Sequence, residues 1–244
     1  MGMPKQFNDI IQRRLNIFAA WLPISNTYQL GDYGIIADGV FAKMGNIKEL
    51  GISFTSGQGP SASIDFTSDS TRVINIAAGA EVDVIPEGAL NAKVTYKFEK
   101  ERSFLVKSPS ITVNTIENIN EVGTKLIGKP KWQKRFKVVH ESYLAKEAVI
   151  MSTIEAGTEI TFSGNVKALQ QLNIGNVSVS FTSRNKLGFD LQGAEGIIGL
   201  GLFQLVKGGF LGLGAQKVQV LDDEDKEEPM EIQKLSASTV VDDL

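Results

Sequence analysis

Between Ala92 and Phe98 the chain alternates strictly, with Ala92, Val94, Tyr96 and Phe98 apolar and Lys93, Thr95 and Lys97 polar. A period of two sends successive side chains to opposite faces, so this run predicts a strand with one wet face. Val177, Val179 and Phe181 repeat the pattern. Leu187, Phe189 and Leu191 continue it after an Arg184-Asn185-Lys186 turn, which predicts a hairpin. Residues 73–76 and 82–84 are two further strand candidates. Runs 104–106 and 111–113 flank Pro109, whose missing N–H marks an edge or a bulge. Strands are also expected at 135–140, 143–154, 159–163, 197–206 and 216–221, and in two short runs at 33–37 and 39–43 that would pair or form one bent strand. Residues 57–70, rich in Gly, Ser, Thr and Pro, read as a loop or a weak strand margin.

Helical spacing is confined to a few places. Phe7, Ile10, Ile11, Leu15 and Phe18 form one stripe, with Asp9, Gln12 and Arg13 off it and Pro4 at the entry. Residues 116–127 show a second helical pattern, and Asn165 is placed to cap a third at 166–172. Residue 46–50 is room for one turn only. The expected fold is α+β: a single large twisted, mostly antiparallel sheet with a few peripheral helices. A chain of 244 residues is long enough for one well-filled core, or for two small ones.

The chemistry of most enzymes is missing. There is no cysteine, hence no disulfide and no thiolate nucleophile or zinc ligand. The single histidine, His140, has no local nucleophile or orienting motif and reads as a solvated strand residue. Gly123 to Lys129 matches most of a phosphate loop, but Pro130 stands where that loop needs a hydroxyl. No enzyme activity, metal or cofactor is therefore expected. No targeting segment is evident, and the longest nearly apolar stretch, 196–206, is shorter than the ~20 residues of a spanning helix. Membrane strands would escape such a test.

Charge divides the chain. Residues 222–244 hold nine acids and two lysines, whereas residues 1–221 hold 19 acids and 23 basic residues. The expected organisation is a body, 1–221, and an acidic C-terminal inhibitory peptide, 222–244. Within that peptide Met230, Ile232 and Leu235 are candidate anchors in a groove on the body, and Val240 and Val241 offer a second anchor. Leu221, Asp222, Asp223, Asp225 and Lys226 mark the candidate cleavage region; the aspartates suit an aspartate-specific protease and the lysine a trypsin-like one. Lys125, Lys129, Lys131, Lys134, Arg135 and Lys137 form a basic patch, with Trp132 and Phe136 among them, and are candidate contacts for lipid headgroups or for nucleic acid. A solvated acidic tail without a regulatory role fits the same charge run.

The order of features resembles the bacterial gasdermins over essentially the whole chain. It runs from a short amphipathic helix through Leu22-Pro23 and YQLGDYGIIADGVFAKMGNIKEL (28–50) to two β-rich zones, about 71–108 and 134–191, separated by the basic segment. A short tail follows in place of a second domain. The resemblance implies an antiphage cell-death effector, dormant and monomeric in the cytoplasm until a protease removes the C-terminal peptide. The freed body would then form a homo-oligomer and insert the two β-rich zones into the inner membrane as pore-lining hairpins. Many members carry a lipidated cysteine near the start; this chain has none, so that step is absent or replaced. On this reading the partners are the protease and the membrane, with no nucleic acid. The alternative classes are a lipid or small-molecule carrier and a nucleic-acid or partner-binding module.

Overall fold

The computed structural model describes residues 2–171, 177–182, 184–207, 216–217 and 230–235. Helix α1 (Met3–Leu15) is followed by β1 (Phe18–Ala19), β2 (Asp32–Ala37), β3 (Val40–Asn46), a single 3-10 turn at Ile47–Leu50, β4 (Ser56–Gln58), β5 (Ala62–Thr67), β6 (Thr71–Ala77) and β7 (Ala80–Val82). Next come β8 (Ala92–Phe98), β9 (Phe104–Ile116), α2 (Ile119–Ile127), β10 (Lys137–Thr153), β11 (Thr158–Gly164) and α3 (Val166–Gln171). The chain closes with β12 (Ser178–Phe181), β13 (Leu187–Lys207), β14 (Gln216–Lys217) and β15 (Met230–Lys234). The α+β expectation holds: strands predominate, their pairings are antiparallel, and few helices accompany them. They belong to two sheets, of ten and five strands, rather than to one. The chain divides into two compact units, Met1–Pro60 with Thr112–Leu144 and Ile197–Leu244, and Ser61–Ile111 with Ala145–Gly196.

In the first unit the strand path is β14-β15-β13-β10-β2-β3, with β1 on β13 and β4 on β9. Helix α1 starts with proline in its first turn and ends at Asn16, which takes the left-handed conformation and donates its N–H to the Gln12 carbonyl at 2.8 Å. Phe7 and Ile11 are fully buried, and Asn8 Oδ1 accepts the Ala19 N–H at 2.8 Å, so the helix is fastened to the strand that follows. Phe18 leaves the helical stripe for β1, where it pairs with Leu200. The two short glycine-punctuated runs form a hairpin, β2–β3, closed by Asp38 and Gly39. Both have positive φ, the geometry of the tightest hairpin turns, and glycine meets it without strain. Asp32, wholly buried at the base of that hairpin, contacts Lys43 Nζ at 2.9 Å and accepts from Asn46 Nδ2 and the Gln29 N–H, each at 2.8 Å. A buried charge is stable only when so satisfied.

In the second unit the five-stranded sheet runs β12-β11-β8-β6-β7. The alternating stretch is its central strand, and Tyr96 lies opposite Val73 on one side and Ile160 on the other. Val94, Tyr96 and Phe98 pack with Phe162, Leu105, Val149 and Met151, while Lys97 turns outward to Glu159 at 3.1 Å. Helix α3 begins as expected, with Asn165 Oδ1 accepting the Ala168 N–H at 2.9 Å.

Several expectations change. Residues 104–116 are one continuous strand, and the bulge predicted at Pro109 is present, because the register to β5 slips between Ala62–Ile111 and Ile64–Ser108. The two runs at 135–140 and 143–154 are likewise one strand, β10. Of the loop or weak strand margin expected at 57–70, the strand reading holds, for the segment supplies most of β4 and all of β5, both paired with β9. The predicted hairpin at 177–191 does not form. β12 instead takes the edge of β11, and the carbonyl of Lys186, in the turn between β12 and β13, accepts the Ile154 N–H at 2.9 Å, which directs the chain away from β12. Among the described residues no helix is long and apolar enough to cross a membrane.

Candidate functional site

The terminal peptide is held by the body through a strand. β15 pairs antiparallel with the last residues of β13, matching Phe203 to Lys234, Leu205 to Ile232 and Lys207 to Met230. Its other edge pairs with β14, Gln216 facing Ile232 and Lys217 facing Glu231. The tail strand therefore lies between two strands of the body and has its backbone hydrogen-bonded on both sides.

Of the three expected anchors, Ile232 is the central one. It is 4% exposed and sits in a core with Val122, Leu126, Phe203 and Leu205. Burying such a side chain contributes roughly 1.5–3 kcal/mol. Its seat is shaped by Gly123: a Cβ there would overlap the Ile232 Cγ1 and Cδ1 atoms, and would stand 3.6 Å from Leu205 Cδ2. Glycine costs a helix interior about 1 kcal/mol relative to alanine, and here it allows α2 to approach the tail strand. Leu235 is half-buried against a neighbouring core that includes Leu200 and Leu202, and its N–H donates to the Leu202 carbonyl at 2.9 Å. Gln204 Nε2 donates to Gln233 Oε1 at 3.1 Å across the pair. Met230 takes its place in the ladder, and its side chain lies outside the described residues, as do Val240, Val241 and the candidate cleavage positions Leu221, Asp222, Asp223, Asp225 and Lys226.

His140 corrects its sequence reading. It is buried, not solvated, because its strand face turns toward Phe203, with the ring centroids 6.1 Å apart. Burial pushes its pKa down to about 4; nearby Glu141 opposes that shift, Lys234 on the tail strand adds to it, and a hydrogen bond to the Leu202 backbone opposes it. Leu202 is also the residue that accepts the Leu235 N–H, so His140 and the tail share a partner.

The basic patch is only partly a surface. Lys131, Lys134 and Arg135 are exposed, whereas Lys137 is 4% exposed and its Nζ donates to the Arg135 carbonyl at 3.0 Å, which removes it from the headgroup contacts. Lys125 is paired with Glu121 one helical turn away, which, with Asn118, holds the Glu121 carboxyl below its ordinary pKa. Lys129 is half-buried. The interleaved aromatics point inward: Trp132 and Phe136 pack on Tyr33, each at 5.5 Å between centroids, so they are not laid out as stacking platforms. Helix α2, which carries Lys125, packs against β15. Among the described residues no group of three or more His, Asp and Glu side chains gathers as a metal site.

Local sequence spacing does not place Gly123 or His140 beside the tail strand. Gly123 had a usable signal, since a glycine inside an amphipathic helix marks a close approach. His140 had none, because its burial depends on a strand sixty residues away. No family model matches this chain, and neither a curated protein nor a solved structure does.

Proposed function

We propose that this chain is a self-restrained pore-forming protein of the gasdermin type. Its C-terminal peptide holds the body in a dormant form, and proteolysis between 221 and 226 releases that form to oligomerise on and enter an anionic membrane. The observation that carries this reading is the docked strand: residues 230–234 fill a place between β13 and β14, with Ile232 in the core. A merely solubilising tail needs no such place. Removing β15 would expose the β13 edge and the apolar seat at Gly123, Leu205 and Phe203, and an unpaired edge beside an apolar patch is a template for another chain. The two β-rich zones, 71–108 and 134–191, supply every strand of the five-stranded sheet, in which Val94, Tyr96 and Phe98 share an apolar face. That face is the kind a lipid-facing strand requires.

The test is to replace residues 222–226 of the full chain with the recognition sequence of a site-specific protease. The protein is then cut in the presence of dye-loaded phosphatidylethanolamine–phosphatidylglycerol vesicles. Dye release after cutting, and none before, is the expected result. A cut protein that stays monomeric and leaves the vesicles intact rejects the proposal.

A further inference from the structure

The second unit contains a cavity of about 330 Å³ lined by its own residues, none of them among the described residues of the tail. Its floor is four residues in direct cross-strand register, Val73 opposite Tyr96 and Asn75 opposite Val94. Val166 and Leu169 of α3 form one wall. The loop after β7 forms another and is tied to the floor by Asn75 Nδ2, which donates to the Asp83 carbonyl at 3.0 Å. A volume near 300 Å³ with mostly apolar lining and a few placed polar groups is the small end of the range for ligand sites. At roughly 30 Å³ for each water-sized element, it holds a molecule of roughly ten heavy atoms.

One end of this cavity carries an ammonium paired on its outer side with a carboxylate. Lys107 lines it beside Tyr96, its Nζ 5.5 Å from the Tyr96 ring centroid and 2.9 Å from Asp65. The side chain is 18% exposed, while that of Asp65 is 71% exposed, so Asp65 meets the ammonium from the solvent side. Burial works to lower the Lys107 pKa, but Tyr96 and Asp65 outweigh it and leave it raised above the ordinary lysine value. An ammonium has three N–H bonds, and these two partners leave donor capacity for a third acceptor. At the far end Asp83 is exposed and its carbonyl is already engaged by Asn75.

We propose that this cavity binds a small amphipathic carboxylate, its apolar body over Val73, Val94 and Leu169 and its anionic end on Lys107. The site is independent of the tail: it stands or falls whether or not the chain forms pores. The probe is octanoate, added to the uncut full-length chain and followed by titration calorimetry and by amide chemical shifts, with octanol and octylamine as controls. Saturable one-to-one binding of octanoate, tighter than octanol and with octylamine weakest, is expected, and the shifts should centre on Asn75, Tyr96 and Leu169. Lys107→Met should weaken octanoate roughly tenfold or more, the loss of one charge-assisted hydrogen bond, while leaving octanol unchanged. Leu169→Trp should abolish both by filling the space. No saturable binding, equal affinity for octanoate and octanol, preference for octylamine, or shifts centred elsewhere would each overturn the assignment. The shift map on the unaltered chain keeps the test decisive if a variant fails to fold.

Discussion

Replacing Ile232 with alanine should loosen the terminal strand without disturbing the second unit. The side chain is almost fully buried, and its deletion removes methyl and methylene groups from a seat lined by Leu205, Val122 and Leu126. Such substitutions in a core cost about 2–5 kcal/mol, the spread reflecting how far the site collapses. α2 is also held by Ile47, Ile52, Ile116 and Val138 of the same core, so limited collapse and a loss of about 3 kcal/mol are expected. At 1.4 kcal/mol for each factor of ten, the amides of β15 and of Leu235 should exchange with solvent roughly 100-fold faster. Those of β8, in the other unit, should not change. Gly123→Ala is the matching perturbation from the opposite side. It favours the helix by about 1 kcal/mol, yet it places a methyl on Ile232, so it should also accelerate exchange in β15. Combining the two removes the overlapping atoms and should recover part of the protection, a coupling that independent sites would not show. Native-state hydrogen exchange read by NMR decides the matter. Unchanged exchange at Leu235, or equal acceleration throughout both units, would refute the claim that Ile232 locks a locally opening strand.

Two further outcomes follow from buried charge. The folded chain holds His140 near pKa 4 against an ordinary 6.5, so the unfolded chain takes the proton first; stability is intact above pH 6.5 and declines as pH falls toward 4. Urea unfolding should show a loss of about 2 kcal/mol between pH 7 and 5 that His140→Gln lacks, and an identical slope in both proteins would dismiss it. Asp32→Ala strands Lys43 and Asn46 around an empty carboxylate site and should lower stability by about 3 kcal/mol in the same assay, whereas a loss within the ~1 kcal/mol of a surface ion pair would show that the cluster is incidental.

What the sequence disclosed was local. The alternation at 92–98, the Pro109 bulge, the Asn165 cap and the apolar pair Ile232 and Leu235 each depend on neighbours within a few residues, and each is found in the structure. The errors concern partners distant in the chain. Val177 to Leu191 has the pattern of a hairpin, but Phe181 pairs with Ile160, and Lys186 is tied to Ile154; neither partner is visible in the spacing. Lys137 looks like its exposed neighbours until β10 carries it inward, and His140 is placed against Phe203 by the same strand. Residues 57–70 are rich in Gly, Ser and Thr, which hides the alternation of Ala62, Ile64 and Phe66 that pairs with β9. Periodicity reveals which faces are apolar, whereas sheet order decides what covers them.

Sheet order also bears on how a cut would act. Cleavage between 221 and 226 leaves β14 on the body and β15 on the released peptide, yet β15 still lies between β14 and β13. The cut alone breaks none of the ladder bonds or the Ile232 contacts; it only converts an intramolecular strand into a bound peptide. While tethered, the strand rebinds at an effective concentration in the ~mM range, and once severed it can be lost by dilution. Under the proposed function, leakage should therefore lag behind cleavage, and the lag should be set by β15 leaving its two neighbours. Ile232→Ala should shorten that lag by a factor comparable to its effect on exchange, and excess synthetic 227–244 peptide should lengthen it. Gel densitometry and dye release measured on one reaction give both time courses. Release that coincides with cleavage in the parent chain and is insensitive to added peptide would mean that the docked strand is not the restraint.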